Sequence, residues 1–417
     1  MHILVVSYYW PPDVNARAFR WSAVTSAWCA AGHRVTVVTR AQPGESALSE
    51  QSGLVVHRVG GTAAGRVRGS LAAGSGGGMK ALFGGTARAV YRATWRRLYW
   101  PDFAGAWYFP AVRAVRRLLA GGGVDALVTV SHPFTPHLVG LAARRQSPAL
   151  RWVADCGDPF SLFDEIPLNN LALYRDLNRC AERRVLAAAD STAVTVESCR
   201  ALYADAFPES AARVVVVPPV ATMPTQVAEE TAGRAAFAFF GRFYRALRSP
   251  AGLMALLDGL ARRRGDVTLD IYGDLNDCAG MLASPPPALA GRIRLHGLVG
   301  AEEAAAAMAR AGVLVNIGNT TAFQLPSKIF EYAAAGRPIL NLAQIDADTS
   351  AAFLGGYPAA LTLRDRGAPT ADDIEALERW LSTVEPVPPE GVARLLAPHR
   401  PDAVAGAYLN LLDATAS

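Results

Sequence analysis

Short apolar runs of strand length alternate with longer amphipathic runs along almost the whole chain, and this rhythm restricts the fold more than any other feature. The run HILVVSYY (2–9) gives way to NARAFRWSAVTSAWCAAGH (15–33) and then to RVTVVTR (34–40). An uninterrupted apolar run reads as a strand buried on both faces, and Gly32 closes the helical stretch between the two runs, so the three segments make a βαβ unit. More strand-like runs follow: GLVVHRV, DALVTVS, LRWVADC, STAVTVE and RVVVVPP. The rhythm then restarts with AAFAFFGR, VTLDIYG, IRLHGL, GVLVNIG, PILNLA and AALTLR. Each set suffices for one doubly wound parallel sheet, which predicts two α/β domains, 1–220 and 221–400. The break falls near PPVATMPTQVAEETAG (218–233), rich in Pro, Thr and Ala. A helical stretch over 401–417 can pack on either domain. The 417 residues, 51% of them hydrophobic and 18% charged, can build two cores and exclude global disorder.

Several chemistries are absent from the pattern. The turn after the first strand, YYWPPDVNARA, has no GxGxxG, which argues against a nicotinamide-dependent enzyme. There is no GxxxxGK[ST], HExxH or GxSxG. Five scattered cysteines without a CxxC pair read as free thiols in a reducing compartment. The N-terminal apolar run is too short for a signal peptide, and no stretch has the length of a membrane span. A cytoplasmic protein, at most peripheral on the inner face of a membrane, is expected. The formal charge of +5 suits an anionic partner without choosing its chemistry.

Residues 60–123 stand apart. A glycine-rich stretch expected to be mobile leads into a basic, aromatic one. Arg88, Arg92, Arg96, Arg97, Arg113, Arg116 and Arg117 are interleaved with Trp95, Tyr99, Trp100, Trp107 and Tyr108, against the single acid Asp102. Two readings fit: a helix resting on an anionic membrane surface, or a surface helix whose aromatics face the core.

PSKIFEYAAAGRPIL (326–340) carries one acid, Glu331, three residues after Lys328 on an otherwise small and apolar helix that Gly336 and Pro338 terminate. In open α/β sheets ligands bind outside the carboxyl ends of the strands, where this helix begins. An acid there either binds a vicinal diol such as a ribose or simply stabilises the helix dipole. FFGRFYRALRSP (239–250) puts Arg242 and Arg248 in a strand-to-helix turn on the same edge, where two cations can neutralise a diphosphate.

These segments resemble the GT-B glycosyltransferases, in particular the retaining family 4. The likeness is carried by SYYWPPDVNARAFR, AAGHRVTVVT, SHPFTPHLVGLAAR, WVADCGDPF, AERRVLAAADSTAVTVES, FFGRFYRALRSP, IYGD, IRLHGLVGAEEAAAAMARAGVLVNI and, most specifically, LPSKIFEYAAAGRPIL. The resemblance implies two Rossmann-like domains facing each other across a crevice, whose closure would exclude water. It implies retaining transfer of a sugar from a UDP- or GDP-linked donor to an acceptor hydroxyl, lipid-linked or saccharide. Bacterial cell-surface polysaccharide or glycolipid synthesis is the implied setting, with no metal or other cofactor and no nucleic acid partner. It also implies roles. Glu331 would hold the donor ribose, within a donor-binding set of Gln324, Leu325, Lys328, Gly241 and Gly297, the last on the base-pocket loop. Arg242 and Arg248 would bind the diphosphate, and His132 would stand near the reaction centre unless it is only a hydrogen-bonded loop histidine. Asn15, Arg17, Asp155 and Asp158 would lie on acceptor-side loops, with a structural turn the alternative for the two aspartates.

The chain departs from the family pattern in three places. Phe323 stands where the first acid of the paired motif belongs, with Gln324 beside it. Val14, Asn15 and Ala16 replace a glycine pair, and PPV replaces an interdomain PNG. A nucleotide-sugar epimerase and a non-catalytic nucleotide-sugar-binding homologue are the rival readings. The DAD at 346–348 formally matches a metal-binding DxD of another transferase fold, but it lies in the wrong domain context.

Overall fold

A computed structural model describes residues 1–60, 98–164, 167–221, 232–245 and 247–413. The chain divides into two compact units, Met1–Val220 together with the segment from Pro401 onward, and Ala221–Arg400.

The first unit is built on β1 (His2–Ser7), β2 (Arg34–Arg40), β3 (Leu48–Gln51), β4 (Leu54–Val59), β5 (Ala126–Ser131), β6 (Arg151–Cys156), β7 (Ser191–Val194) and β8 (Val214–Val216). Their order across the sheet is β3-β4-β2-β1-β5-β6-β7-β8. All pairings are parallel except β3 with β4. The antiparallel β3 is exposed throughout and has no apolar pattern, so its sequence did not announce it. Helices α1 (Ala16–Ala30), α2 (Tyr108–Ala120), α3 (Thr135–Gln146), α4 (Leu171–Ala188) and α5 (Glu197–Ala206) complete the layers.

The second unit has six parallel strands, β9 (Ala236–Arg242), β10 (Thr268–Asp274), β11 (Ile293–Gly297), β12 (Val313–Ile317), β13 (Ile339–Ala343) and β14 (Ala360–Arg364), in the order β11-β10-β9-β12-β13-β14. Its helices are α6 (Ala251–Ala261), α7 (Ala279–Ala283), α8 (Ala301–Arg310), α9 (Lys328–Ala334), α10 (Thr349–Leu354), α11 (Ala371–Thr383) and α12 (Pro389–Leu396).

The helix α13 (Pro401–Asp413) belongs to the first unit, although everything before it back to Ala221 belongs to the second. Tyr408 packs against Trp21 of α1 with ring centroids 4.9 Å apart, and Trp28 donates its indole N–H to the carbonyl of Ala405 at 2.9 Å. Asp155 joins this contact from β6. It accepts from the Tyr408 hydroxyl at 2.6 Å and from Trp21 Nε1 at 2.8 Å, and Arg20 donates to the same hydroxyl at 2.9 Å. Asp155 is therefore not on an acceptor-side loop. It is fully buried in a strand, with one bond to each carboxylate oxygen. A buried carboxylate is tolerated only with such partners.

The described part of the basic, aromatic segment folds onto the first unit. Asp102 caps α3 from outside, accepting from the backbone N–H and the hydroxyl of Thr135 at 2.9 and 2.7 Å, and burial pushes its carboxyl above the usual range. Trp107 is buried, and Trp100 donates to Asn178 of α4 at 3.0 Å. These tryptophans serve the fold, as the core reading of the aromatics requires. Phe109, by contrast, is 73% exposed. Arg88, Arg92, Trp95, Arg96 and Arg97 lie outside the described residues. Among the described residues no helix is long and apolar enough to cross a membrane.

Each sheet has one place where the chain reverses its direction of travel. β1 lies between β2 and β5, and β9 between β10 and β12. Connections leave such a strand on opposite faces, so its carboxyl end opens into a crevice.

Candidate active site

In the second unit the crevice is set by the way β9 ends. Its ladder with β12 stops at the pair Phe239–Val315. The next residue, Phe240, takes its partner from a helix instead. The Tyr332 hydroxyl of α9 accepts from the Phe240 N–H at 2.9 Å and donates to the Phe240 carbonyl at 3.2 Å. One phenol thus moors α9 to the strand at the point where the sheet divides. Ala333, Ala334 and Ala335 are buried behind it, so the helix lies close to its sheet. Gly336 closes the helix at φ +66°, in the left-handed region that suits glycine.

Beyond Phe240, Gly241 and Gly273 pass each other closely at the ends of β9 and β10. A Cβ on Gly273 would sit 1.8 Å from the Gly241 carbonyl oxygen. Arg242 is exposed at the last position of β9. The chain then turns back on itself, with the Arg248 N–H donating to the Tyr244 carbonyl at 2.7 Å. Arg248 is half-buried beside Gly241. Its Nη2 donates to Asn319 Oδ1, on the loop after β12, at 2.8 Å, and its Nε is buried with no partner. Burial pulls its pKa down from the usual arginine value, which disfavours the charge without removing it. Among the described residues neither Arg242 nor Arg248 forms an ion pair.

Glu331 lies in the first turn of α9, and its Oε2 accepts from Lys328 Nζ at 2.5 Å. That carboxylate is only partly exposed, at 24% of its side chain. Gln324 lies on the loop before α9. Its carbonyl accepts from Thr349 Oγ1 at 2.6 Å and from Asn319 Nδ2 at 3.4 Å, and its side-chain oxygen accepts from Thr321 at 3.2 Å. Leu325 follows it, half-buried, while Phe323 before it is buried. Gly297 ends β11 at φ +70°. Before it, the His296 ring stacks on Tyr272 at 4.1 Å and bonds to Asp270 at 2.6 Å. The edge of β9, β12 and α9 thus gathers Gly241, Arg248, Gln324 and Glu331, with Gly297 two strands away on the same carboxyl edge.

The DAD does not present two carboxylates to one ion. Asp346 is 99% exposed beside Arg364, and Asp348 is buried, capping α10 through the Ala351 N–H at 2.7 Å.

In the first unit the carboxyl ends of β1, β5 and β6 bring His132, Arg17 and Asp158 together. Arg17 Nη2 lies 3.4 Å from Asp158 Oδ2. Its guanidinium rests on the backbone of Gly157, where a Cβ would come within 1.6 Å of it. His132 follows β5 directly. Its ring lies 5.5 Å from Phe103, and burial lowers its pKa, with Asp158 opposing that shift and Arg17 adding to it. Burial and the nearby guanidinium thus favour the neutral imidazole. Asn15 caps α1, accepting from the N–H groups of Arg17 and Ala18 at 3.1 and 3.0 Å, so its Oδ1 serves the helix.

Sequence reading missed Tyr332, Asn319 and Gln344. Gln344 Nε2 donates to the carbonyls of Leu247 and Gly318 at 2.9 and 2.8 Å, joining the two loops of the crevice. Tyr332 adjoins a motif residue and was open to suspicion; the other two carry no local signal.

Two doubly wound sheets in tandem, with a helix returned from the end of the second unit to the first, are the architecture of the GT-B glycosyltransferases, and solved structures similar to this chain share it. The trehalose 6-phosphate synthase of Burkholderia multivorans matches with a TM-score of 0.62 at 14% identity, covering 98% of this chain and 97% of its own. The lipopolysaccharide outer core galactosyltransferase WaaB matches at 0.56 and 14%, covering 99% of each chain. TarM of S. aureus, solved with UDP, matches at 0.58 and 9%, covering 99% of this chain and all of its own (100%). Residues 22–221, most of the first unit, match the family Glycosyltransferase Family 4. No curated protein matches the chain by sequence. The whole chain thus has the fold of the GT-B class, and the match to Glycosyltransferase Family 4 falls on its first unit.

Proposed function

We propose that the second unit binds a UDP- or GDP-linked sugar and that the first unit handles a saccharide or lipid-linked acceptor. The sugar passes to an acceptor hydroxyl with its anomeric configuration retained. One observation carries this reading: Arg248, half-buried at the reversal point of the second sheet, has an unpartnered Nε and no carboxylate counter-ion among the described residues. A guanidinium left this way is arranged for an anion that the protein does not itself supply.

The chemistry follows from that charge. The bond from the sugar's anomeric carbon to the diphosphate breaks, and the diphosphate leaves with the electron pair. The acceptor oxygen bonds to the same face of that carbon and gives its proton to the departing phosphate. Negative charge grows on the diphosphate as the bond lengthens, so Arg248 and Arg242 stabilise the transition state more than the bound donor. Their charge does the work that a divalent metal does elsewhere. Glu331 exchanges its Lys328 contact for the ribose hydroxyls, and the released Lys328 lies beside the same ligand.

Exposed Phe109 with Arg113, Arg116 and Arg117, all exposed on α2, supports attachment of the first unit to an anionic membrane, where a lipid-linked acceptor would be met.

The test is calorimetry with UDP, GDP and their sugars on the wild type and Glu331→Ala. Loss of a charge-assisted bond to ribose should cost about 1.5–3 kcal/mol for free nucleotide and donor alike. Unchanged affinity removes Glu331 from the site, and no nucleotide binding by the wild type overturns the reading. Donor hydrolysis without acceptor, and release of an epimerised donor, separate a transferase from a non-catalytic homologue and from an epimerase.

A further inference from the structure

Arg248 is aimed by a group that carries no charge. Its one side-chain partner among the described residues, Asn319, accepts through Oδ1 at 2.8 Å and gives its own N–H to the Gln324 carbonyl at 3.4 Å. Asn319 is thus tied to the loop that leads into α9, and that loop is tied again by Thr349 to the same carbonyl at 2.6 Å. Gln344 reaches in from the end of β13. Its two amide hydrogens go to the Leu247 and Gly318 carbonyls, belonging to the residues just before Arg248 and just before Asn319. One amide therefore fixes the spacing of the two loops, and the other fixes the guanidinium across that spacing.

Many arginines of this chain are oriented by carboxylates. Arg144, Arg262, Arg264 and Arg294 each hold an aspartate at 2.5–3.0 Å. A carboxylate in place of Asn319 would orient Arg248 equally well and hold it more tightly, since a charged acceptor makes the stronger bond. It would also cancel the positive charge that an incoming diphosphate needs. An amide oxygen directs the guanidinium while leaving its charge uncompensated.

We propose that Asn319 is the positioning residue for Arg248, an uncharged acceptor that aims the guanidinium at a nucleoside diphosphate without neutralising it, with Gln344 setting the distance between the two loops. The proposal rests on the reading that a nucleoside diphosphate binds in this crevice.

A pair of variants distinguishes this role from a merely structural one. Asn319→Asp keeps the shape and the hydrogen bond to Arg248 and adds a charge, while losing the long N–H contact to the Gln324 carbonyl; Asn319→Ala loses both bonds and adds no charge. The measurements are the Kd for UDP, GDP and inorganic pyrophosphate by calorimetry, and the thermal unfolding of the free protein. If Asn319 works by being neutral, Asn319→Asp weakens nucleoside diphosphate binding about thirtyfold, while Asn319→Ala weakens it only about threefold. The free Asn319→Asp protein unfolds no earlier than Asn319→Ala, because it has gained an ion pair. Its binding also falls less steeply with added salt than that of the wild type, since less net charge meets the ligand. If the wild type binds nucleotide and Asn319→Asp binds it equally well, the proposal is overturned and the site stands. If affinity and unfolding temperature fall in step in both variants, Asn319 only holds the loop, and the proposal is again overturned. A wild type that binds none of the three probes overturns the reading of the crevice, and this inference with it.

Discussion

Replacing Tyr332 with phenylalanine tests the mooring of α9 at the price of a single oxygen. The ring stays, so its edge-to-face contact with Phe240 at 6.2 Å and its packing against the sheet are kept. The lost hydroxyl is buried and satisfies two backbone groups of Phe240, a donor at 2.9 Å and an acceptor at 3.2 Å. β12 cannot take its place, because its ladder with β9 ends one residue earlier. A buried backbone group left unsatisfied costs about 1–3 kcal/mol, with the longer contact at the lower end, so the variant should lose about 2–4 kcal/mol. Against the roughly 5–15 kcal/mol that stabilises an ordinary domain, that is a large share. Urea unfolding of the two proteins reads it as a lower midpoint at unchanged slope. UDP affinity should fall as well, since Glu331 rides on the same short helix. A loss below about 0.5 kcal/mol would refute the reasoning, because it would mean that Phe240 finds other partners and that Tyr332 contributes only its ring.

Arg248→Ala should lower kcat more than it raises KM, because the charge on the diphosphate is largest as the glycosidic bond breaks; a raised KM with intact kcat would show uniform binding instead. Turnover of the wild type should persist in EDTA, and an absolute magnesium requirement would show that the two arginines do not replace a metal. His137 is fully buried between Thr129 and Cys156, and burial lowers its pKa to about 4. The unfolded chain protonates this histidine near its ordinary value of about 6.5 while the folded chain does not, so stability is whole above that pH. It falls as pH drops toward 4, by about 3 kcal/mol in all, and urea midpoints measured from pH 7 to 4 on the wild type and His137→Gln should show a shallower slope in the variant.

How far the sequence could be read depended on the range of the interactions. Strands such as β5 and β12 are buried on both faces, so their apolar runs were legible without knowledge of their neighbours. The helix over PSKIFEYAAAG was legible for the same local reason, from its proline, its glycine and its alanines. Asp155 was misplaced because an acid in a motif suggests a loop, although LRWVADC itself marks the residue as part of a strand. Its partners, Trp21 and Tyr408, are 134 and 253 residues away, and no window of sequence shows them. Asn319 and Gln344 escaped in the same way, since their bonds to Arg248 and Leu247 span 71 and 97 residues. An amphipathic helix such as α13 declares that it has a buried face but not which unit buries it.

The placement of α13 has a consequence for the order of synthesis. The first unit begins the chain, yet Asp155, Trp21 and Trp28 take partners from residues 405–408, which the ribosome makes only after the whole second unit. During translation the first unit waits with the Asp155 side chain and two indoles on an uncovered flank, while the second unit, continuous from Ala221 to Arg400, can close its own core first. A nascent chain whose residues up to 400 have emerged from the ribosome would therefore display a finished second unit and an unfinished first one, and a chaperone that captures such chains would find its binding site on the flank of the first unit that α13 later covers.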